Sequence, residues 1–255
     1  MKETDMNKVL NGKIALVTGA NSGMGMATTK ALADMGATVV MLCRNEKRGR
    51  KAFDILKEKS DRKLDILFCD LGDFSSIRAF AEAFHQKYEK LDILTMKLID
   101  LFEEGGRIVN VASGAHKTGD IHFEDINLTK GFNVIKAYSQ SKLANVLFTR
   151  ELARRLKSKK ITVNCCHPGA VATNIGISRE TGFGKTITGM LKSFFQTPEQ
   201  GARTAIYLAS SQKVKGITGQ YFYKCKIAKS SKRSKDMKLA KRLFEFSEQI
   251  VGEIF

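Results

Sequence analysis

The sequence predicts a single α/β domain built on a doubly wound parallel sheet. Short apolar runs typical of buried strands alternate with helical segments from residue 13 onward. The chain has 255 residues, 43% of them hydrophobic, which is enough for one domain with a large core. A glycine-rich turn follows the first strand, at the end of the sheet where such folds bind ligands.

The first half of the chain supplies strands and helices in alternation. Apolar runs predict strands at residues 13–18, 38–43, 63–69 and 91–94. The segments between them predict helices at residues 24–35, 46–59 and 74–88. Parallel strands joined by such helices make right-handed crossovers.

The second half continues the pattern. Strands are predicted at residues 107–113, 161–166 and 218–223, and a long helix at residues 137–156. A further helix begins with a capping box, in which Thr197 is the N-cap, Pro198 occupies the first helical position and Gln200 reaches back.

The connection between strands four and five is unusually short, because only residues 95–106 separate them. A parallel crossover takes about a dozen residues at minimum, and a typical strand is ~17–20 Å long. Twelve helical residues would return only ~18 Å, which leaves nothing for loops. We therefore expect a truncated crossover, with helical turns before Gly106 and a deletion between about Leu94 and Thr95. A gene-model or splice deletion, an engineered loop and a segment absent from the numbering would all produce this pattern.

Composition favours a cytoplasmic protein without a metal. The longest apolar runs are shorter than the roughly 18 residues of a membrane helix, and residues 1–13 carry no apolar signal segment. The five cysteines form no C-x-x-C pair, so we expect mostly buried thiols in a reducing compartment. No zinc-ligand spacing is present.

The net charge is +17, and nine basic residues fall within residues 224–242 against the single acid Asp236. This stretch, part of a basic C-terminal extension at residues 224–255, is interpreted as a solvated tail and helix face. The alternative is contact with anionic lipid, nucleic acid or an acidic partner. Contact with anionic lipid would make the protein peripheral to a membrane. No RNA-binding or recognition-helix pattern accompanies the charge, so nucleic acid is not expected.

The turn "TGANSGMG" after strand one is the first candidate site. Its glycines allow a tight turn and close approach to a pyrophosphate, whose charge the following helix N-terminus stabilises. No Lys-Ser/Thr follows, so it is not a P-loop, and a common glycine-rich loop is the alternative. The candidate cofactor-binding residues here are Gly19, Asn21, Ser22, Gly23, Met24 and Gly25.

Strand two ends in "LCRNEKR", where a site for NAD would carry an acidic residue. Arg44 and Asn45 stand there instead, and a guanidinium suits a 2′-phosphate, so NADP is favoured over NAD. The alternative is an ordinary surface arginine. Asp70 and Leu71, at the end of strand three, are expected to face the adenine ring.

Two further strand ends complete the candidate site. Ser113 ends strand five, and Tyr138 and Lys142 follow at i, i+4 on one helix face. An ammonium beside a phenol favours proton transfer near neutrality, with Ser113 holding the substrate oxygen. Taken alone, Tyr-x-x-x-Lys is usually a surface pair.

Strand six ends in "CCHPGAVATN". Pro168 and Gly169 form a turn, and Val171 and Thr173 follow where a nicotinamide would lie; a generic loop is the alternative. His167 is expected to be structural. Residues 174–196 then present Ile187, Met190, Leu191, Phe194 and Phe195 on one helical face. They are expected to pack as a substrate lid or core cap, or to contact a membrane.

The motifs "TGANSGMG", "CDLGD", "NVAS", "YSQSK" and "HPGAVAT" occur in this order and on the expected elements. Together they resemble the short-chain dehydrogenase/reductase family over nearly the whole chain, and "IVNVASGAHK" and "SKLANVLFTRELARRL" look most like its retinol-dehydrogenase-like branch. The resemblance implies a Rossmann fold and an oxidoreductase (EC 1.1.1.-). It also implies Tyr138 as acid/base, Lys142 on the ribose and Ser113 on the carbonyl.

The expected function is NADP-dependent hydride transfer to or from a hydrophobic alcohol or carbonyl compound of the retinoid, steroid or lipid type, in a monomer or homo-oligomer. Family members carry an Asn-Asn-Ala-Gly turn after strand four and a helix with a catalytic asparagine, and this chain lacks both. The alternative is therefore an impaired family member that binds nucleotide or a partner.

Overall fold

The computed structural model describes residues 8–58, 61–93, 99–169 and 196–252. The strands are β1 Ile14–Thr18, β2 Thr38–Cys43, β3 Leu64–Phe68, β4 Leu91–Ile93, β5 Phe102–Val111, β6 Thr162–His167, β7 Tyr221–Tyr223 and β8 Lys226–Ile227. The helices are α1 Gly23–Asp34, α2 Glu46–Lys57, α3 Phe74–Lys87, α4 Val134–Arg155, α5 Pro198–Ser210 and α6 Met237–Val251.

These strands form one sheet in the order β3-β2-β1-β4-β5-β6-β7-β8. All neighbours are parallel except β7 and β8, which pair antiparallel. The strand order reverses between β1 and β4, and a crevice forms at such a reversal, outside the carboxyl ends of the strands. The predicted doubly wound α/β fold is confirmed.

Helices cover both faces of the sheet because its central strands are apolar on both sides. Along β1, Leu16 packs with α3, α4 and α6, whereas Ala15 and Val17 pack with α1, α2 and α5. The predicted capping box of α5 is present: Gln200 N–H donates to Thr197 Oγ1 (3.3 Å) and Thr197 N–H to Gln200 Oε1 (3.0 Å). No helix in the described ranges is long and apolar enough to cross a bilayer.

β4 is a short strand, and the connection from it to β5 is also short. β4 has three residues, so the chain needs to return only about 7 Å along the sheet. The strand predicted at residues 91–94 is present as Leu91–Ile93, and Leu94 lies outside the described residues. Of the helical turns expected before Gly106, the described residues show a 3₁₀ turn at Ile99–Leu101, after which β5 begins at Phe102.

The pairing register between β4 and β5 shifts, because the paired stretch of β5 contains more residues than that of β4. Leu91 lies opposite Phe102, but Ile93 lies opposite Arg107. Gly105, with φ of +89°, lies in the extra length of β5. The parallel pairing of β4 with β5 therefore survives without the usual crossover helix in the described residues.

The basic C-terminal stretch is folded onto the domain. Its first residues form the β7–β8 hairpin, and residues 233–235 form a 3₁₀ turn before α6. Phe244 of α6 stacks on Phe148 of α4 with ring centroids 5.3 Å apart. Arg155 of α4 donates to Glu248 of α6 over 2.9 Å. Sequence reasoning saw a helix face here but missed that α6 is part of the core.

Candidate active site

The turn after β1 has the backbone geometry of a phosphate site. Gly19 and Gly23 have φ of +61° and +53°, in the left-handed region that glycine adopts without strain. A Cβ atom on Gly25 would lie 2.2 Å from the carbonyl oxygen of Gly19, so only glycine lets the turn close on α1. Ser22 is the N-cap, but its side chain makes no capping bond, and the first turn of α1 carries no acid. The amino end of α1 is therefore suited to an anion such as a pyrophosphate.

This turn is fixed to the end of β2. The N–H of Gly19 donates to the carbonyl oxygen of Leu42 over 3.0 Å, and the backbone of Asn21 reaches the thiol of Cys43. Burial raises the pKa of the Cys43 thiol, which keeps it neutral. The residue that follows, Arg44, thus emerges beside the glycine-rich turn.

Arg44 and Asn45 differ in what their side chains already bind. Arg44 is exposed, and its guanidinium makes no hydrogen bond or ion pair with another described residue. Asn45 is the N-cap of α2, and its side-chain oxygen accepts the N–H of Arg48 over 3.0 Å. The guanidinium is therefore available to an anionic group, whereas the amide oxygen of Asn45 is engaged.

Asp70 and Leu71 lie just beyond β3. Asp70 is half-buried, and its carboxylate accepts the N–H of Gly72 over 2.9 Å. The side chain of Leu71 is 57% exposed, which leaves an apolar surface beside the carboxyl edge of the sheet. Such a surface suits the face of an aromatic base.

A cavity of about 250 Å³ opens at the carboxyl ends of β1, β4, β5 and β6. Thr18, Gly25, Ile93, Val111 and Pro168 contribute to its walls. The structure thus brings the glycine-rich turn and the ends of four strands around one opening.

A larger cavity of about 560 Å³ lies at the opposite edge of the sheet. The ion pair of Lys13 with Asp92 (2.7 Å) and the half-buried Arg107 line it. Because parallel sheets bind ligands at their carboxyl ends, the smaller cavity is the candidate active site.

Ser113 stands two residues beyond β5 and begins a 3₁₀ turn, Gly114–Thr118. Its Oγ accepts the N–H of Ala115 over 3.3 Å. This bond uses a lone pair, so the hydroxyl proton can still be donated to a substrate oxygen.

Tyr138 and Lys142 lie one turn apart on α4. The ammonium of Lys142 is 5.4 Å from the ring centroid of Tyr138, and the tyrosine side chain is 38% exposed. The adjacent Ser139 exchanges a hydrogen bond with Thr118 over 3.2 Å, at the end of the turn that Ser113 begins. The start of α4 is thereby fixed against the serine-bearing turn.

The end of β6 supplies Pro168 and Gly169. Gly169 has φ of +90°, and its N–H donates to Nδ1 of His167 over 3.2 Å. The His167 ring stacks on Tyr223 (4.8 Å), and burial lowers its pKa, in keeping with a structural side chain. A Cβ on Gly169 would lie 2.8 Å from the side chain of Gln196, so Gly169 and Gln196 lie in contact.

The candidate residues Val171 and Thr173, and residues 174–195 of the proposed lid, lie outside the described residues. In the part of the chain that is described, no group of three or more His, Cys, Asp or Glu side chains could hold a metal.

Sequence reasoning missed two residues that hold the site together. Asn145 of α4 donates from Nδ2 to the carbonyl oxygen of Val111 over 3.0 Å, which ties the helix to the end of β5. His116, within the turn after Ser113, is fully buried. The spacing of Asn145 one turn after Lys142 could have suggested its role, whereas the contacts of His116 come from distant segments.

Two family models match the chain. The short chain dehydrogenase model matches residues 13–97, and a model described as enoyl-(acyl carrier protein) reductase matches residues 94–225. The chain is 36% identical to human retinol dehydrogenase 14, covering 96% of this chain and 88% of that protein. It is 34% identical to human retinol dehydrogenase 11, covering 95% and 87% respectively.

Solved structures share the fold. An uncharacterized protein from Mycobacterium paratuberculosis superposes with a TM-score of 0.74 at 26% identity, covering 95% of this chain and 94% of that one. A short chain dehydrogenase from Shigella flexneri, solved in complex with NADP, gives a TM-score of 0.67 at 22% identity, covering 85% and 98%.

The comparison with the human relative also shows a length difference. That alignment runs over 296 positions, whereas 96% of this 255-residue chain is about 245 residues, so about fifty positions of the relative have no counterpart here. The two family models meet at residues 94–97, where the sequence predicts a deletion. With a parallel sheet, a glycine-rich turn and matches of this extent, the chain belongs to the short-chain dehydrogenase/reductase family, in its retinol-dehydrogenase-like branch, and is an oxidoreductase.

Proposed function

We propose that the chain transfers a hydride between NADP(H) and a hydrophobic alcohol or carbonyl compound, of the retinoid, steroid or lipid type. The observation that carries this proposal is the placement of Tyr138 and Lys142 one turn apart on α4, which a hydrogen bond ties to the turn that Ser113 begins. Val111, two residues before Ser113, lines the cavity at the carboxyl edge. The relatives named as retinol dehydrogenases support the class of substrate.

Tyr138, Lys142 and Ser113 have different roles in the proposed reaction. The Tyr138 hydroxyl gives a proton to the carbonyl oxygen during reduction and takes it back during oxidation. The Lys142 ammonium, 5.4 Å from the phenol ring, stabilises negative charge on the tyrosine and also binds the ribose hydroxyls. The Ser113 hydroxyl donates to the substrate oxygen and holds it beside Tyr138. The nicotinamide, when bound, supplies or accepts the hydride.

The residues at the strand ends fit the dinucleotide. The pyrophosphate would lie on the amino end of α1, over a turn in which a Cβ on Gly25 would collide with Gly19. Asp70 and Leu71 would border the adenine, and Pro168 and Gly169 the nicotinamide. Arg44, exposed and unpaired among the described residues, would bind the 2′-phosphate, which favours NADP over NAD.

A second candidate function is supported by the short β4–β5 connection. The roughly fifty unmatched positions of the human relative show that this chain is shorter than that relative, and the family-model boundary at residues 94–97 suggests that a segment is missing there. Without it, the chain lacks a helix and part of the cofactor wall. On this view the protein binds nucleotide or a partner and turns over poorly.

One experiment separates the two functions. The chain, and a variant with a family-like crossover inserted between Leu94 and Thr95, are assayed for reduction of a hydrophobic aldehyde with NADPH, and NADPH binding is measured by fluorescence. Turnover by both supports the enzyme. Binding by both with turnover only in the variant supports the impaired member. Failure of both to bind NADPH or turn over would refute the proposed cofactor and reaction.

We also propose that the basic stretch at residues 224–242 contacts anionic lipid. Its nine basic side chains are all exposed, and seven of them have no carboxylate partner among the described residues: Lys224, Lys226, Lys229, Lys232, Lys235, Lys238 and Arg242. The apolar Ile227 (56% exposed) and Met237 (40%) lie among them. Cations interspersed with exposed apolar side chains suit an anionic membrane surface.

Co-sedimentation with vesicles tests this contact. Binding to phosphatidylserine vesicles is expected to fall steeply with added salt and to be lost in K226E/K229E/K232E. The matched control is K47E/K51E/K57E, which reverses three lysines on α2. Equal recovery with neutral vesicles, or equal loss in the control, would leave the stretch as a solvated surface.

A further inference from the structure

His116 is held on three sides beside the serine of the proposed reaction. Its Nδ1 lies 2.6 Å from the carbonyl oxygen of Ser113, and its Nε2 lies 3.2 Å from the backbone nitrogen of Ser231. The ring centroid lies 4.7 Å from that of Tyr221, and the side chain has no exposed surface. Both ring nitrogens have a hydrogen-bond partner, as buried polar atoms require, and one of the two partners is the backbone of Ser113.

The partners determine the tautomer. A backbone N–H can only donate, so Nε2 must offer its lone pair to Ser231. A carbonyl oxygen can only accept, so the proton of the neutral ring stays on Nδ1 and is donated to Ser113. A second proton on Nε2 would point at the N–H of Ser231 and break that contact.

The surroundings keep the ring neutral. Burial lowers the pKa of His116 despite its bond to Ser113, and the cations of Lys117 and Arg150 lower it further. His167 of β6 also faces it, and the phenol of Tyr221 packs on it from β7. The arrangement is thus stable across neutral pH.

We propose that His116 is a positioning residue: through its two nitrogens it fixes the backbone of Ser113 to the turn at Ser231, and so sets the direction of the Ser113 hydroxyl. The role rests on the proposed function, because it matters only if Ser113 holds the substrate oxygen. The Ser113 side chain already accepts the N–H of Ala115, so a small rotation of its carbonyl would redirect the hydroxyl.

Paired substitutions separate the two contacts. In H116N the amide nitrogen falls near the position of Nδ1 and can donate to Ser113, whereas in H116Q the amide oxygen falls near Nε2 and can accept from Ser231. We expect H116Q to lose kcat by up to about 10²-fold, the cost of a misplaced hydroxyl, with unchanged NADPH affinity, and H116N to lose less than about tenfold. The control is H85Q, on the remote helix α3.

A double-mutant cycle distinguishes positioning from a purely structural role. In an S113A background the His116 substitutions should cost no further kcat, because the group that they position is absent. Equal losses with and without Ser113 would overturn the positioning role while leaving the proposed function intact. Absence of turnover in both the chain and its crossover-restored variant would instead overturn the proposed function, and this role with it.

A spectroscopic measurement checks the contact apart from turnover. Nitrogen-15 NMR of the imidazole should show the proton on Nδ1 and no titration of His116 near neutral pH. Observation of the Nε2–H tautomer, or of an ordinary titration, would overturn the two-contact arrangement.

Discussion

Replacing Tyr138 by phenylalanine removes one oxygen atom, and it should lower kcat while leaving the free energy of unfolding nearly unchanged. The side chain is 38% exposed, and its hydroxyl makes no hydrogen bond with another described residue. The free energy of unfolding should therefore change by less than about 0.5 kcal/mol. The proton transfer assigned to Tyr138 contributes ~10²–10⁴-fold, or about 2.7–5.5 kcal/mol of transition-state stabilisation, all of which should be lost from kcat.

The assay follows oxidation of NADPH with a hydrophobic aldehyde, in whichever form of the chain turns over. NADPH affinity of Y138F, from fluorescence titration, should match that of the parent, whereas K142A should lose both kcat and affinity, since its ammonium also binds the ribose. Y207F is a matched control, because it removes a hydroxyl from the half-buried Tyr207 of α5. Full activity of Y138F would refute the assignment of Tyr138 as the proton donor. If Y138F instead lost kcat only because the protein unfolded, the prediction that activity falls without loss of stability would be refuted.

Three other predictions follow from single contacts. R44D should narrow or reverse a preference for NADPH over NADH in fluorescence titrations, because it replaces the cation at the end of β2 by the acidic residue that suits NAD. Tighter binding of NADH than of NADPH by the parent chain would contradict the choice of cofactor. G25A should weaken NADPH binding and lower the free energy of unfolding in urea by about 1–3 kcal/mol, since its Cβ would lie 2.2 Å from the carbonyl oxygen of Gly19. The control is G131A, at a glycine with φ of +71° whose Cβ would have nothing within 4 Å, and it should leave NADPH binding unchanged. The Glu151 side chain is 1% exposed, and its carboxylate bonds to Arg154 and Arg155, which hold its pKa below the usual range. Its contribution to the free energy of unfolding is therefore present above the unfolded carboxyl pKa of ~4.3 and is lost as pH falls through the lowered folded-state pKa. E151Q should accordingly cost about 1–2 kcal/mol at pH 7 and converge with the parent in acid, whereas E245Q, in the exposed pair with Lys241, should change stability by less than about 0.5 kcal/mol.

The parts of the fold that were predictable are those whose signals are local. The capping box at Thr197 and Gln200 is present as predicted because each partner lies within one helical turn of the other. The strand ends that carry Arg44 and Ser113 were predicted because β-strands and glycine-rich turns are marked by adjacent residues.

The parts that were not predictable depend on distant segments. β5 begins at Phe102 rather than near Arg107 because it pairs with β4 from that point, with Leu91 opposite Phe102, and no local signal in "FEEGG" marks a strand. The contact between His116 and Ser231 joins positions that lie 115 residues apart. The α6 helix has an apolar face, but only its packing on α4 shows that this face is core.

The short crossover affects the two halves of the site unequally. Two hydrogen bonds join α4 to β5, Asn110 to Thr149 (3.0 Å) and Asn145 to Val111 (3.0 Å), and a third joins α4 to the serine turn, Thr118 to Ser139 (3.2 Å). None of them involves residues 94–98.

The wall of the cofactor cavity, in contrast, depends on the end of β4. Ile93 is its last described residue there, and the neighbouring Val111 is 39% exposed although it ends a central strand. Exposed apolar surface at the carboxyl end of a central strand can be covered by a bound group or by added chain. Restoring the crossover should therefore improve cofactor affinity, while the placement of Ser113, Tyr138 and Lys142 relative to one another, which α4 and β5 set between them, should change little.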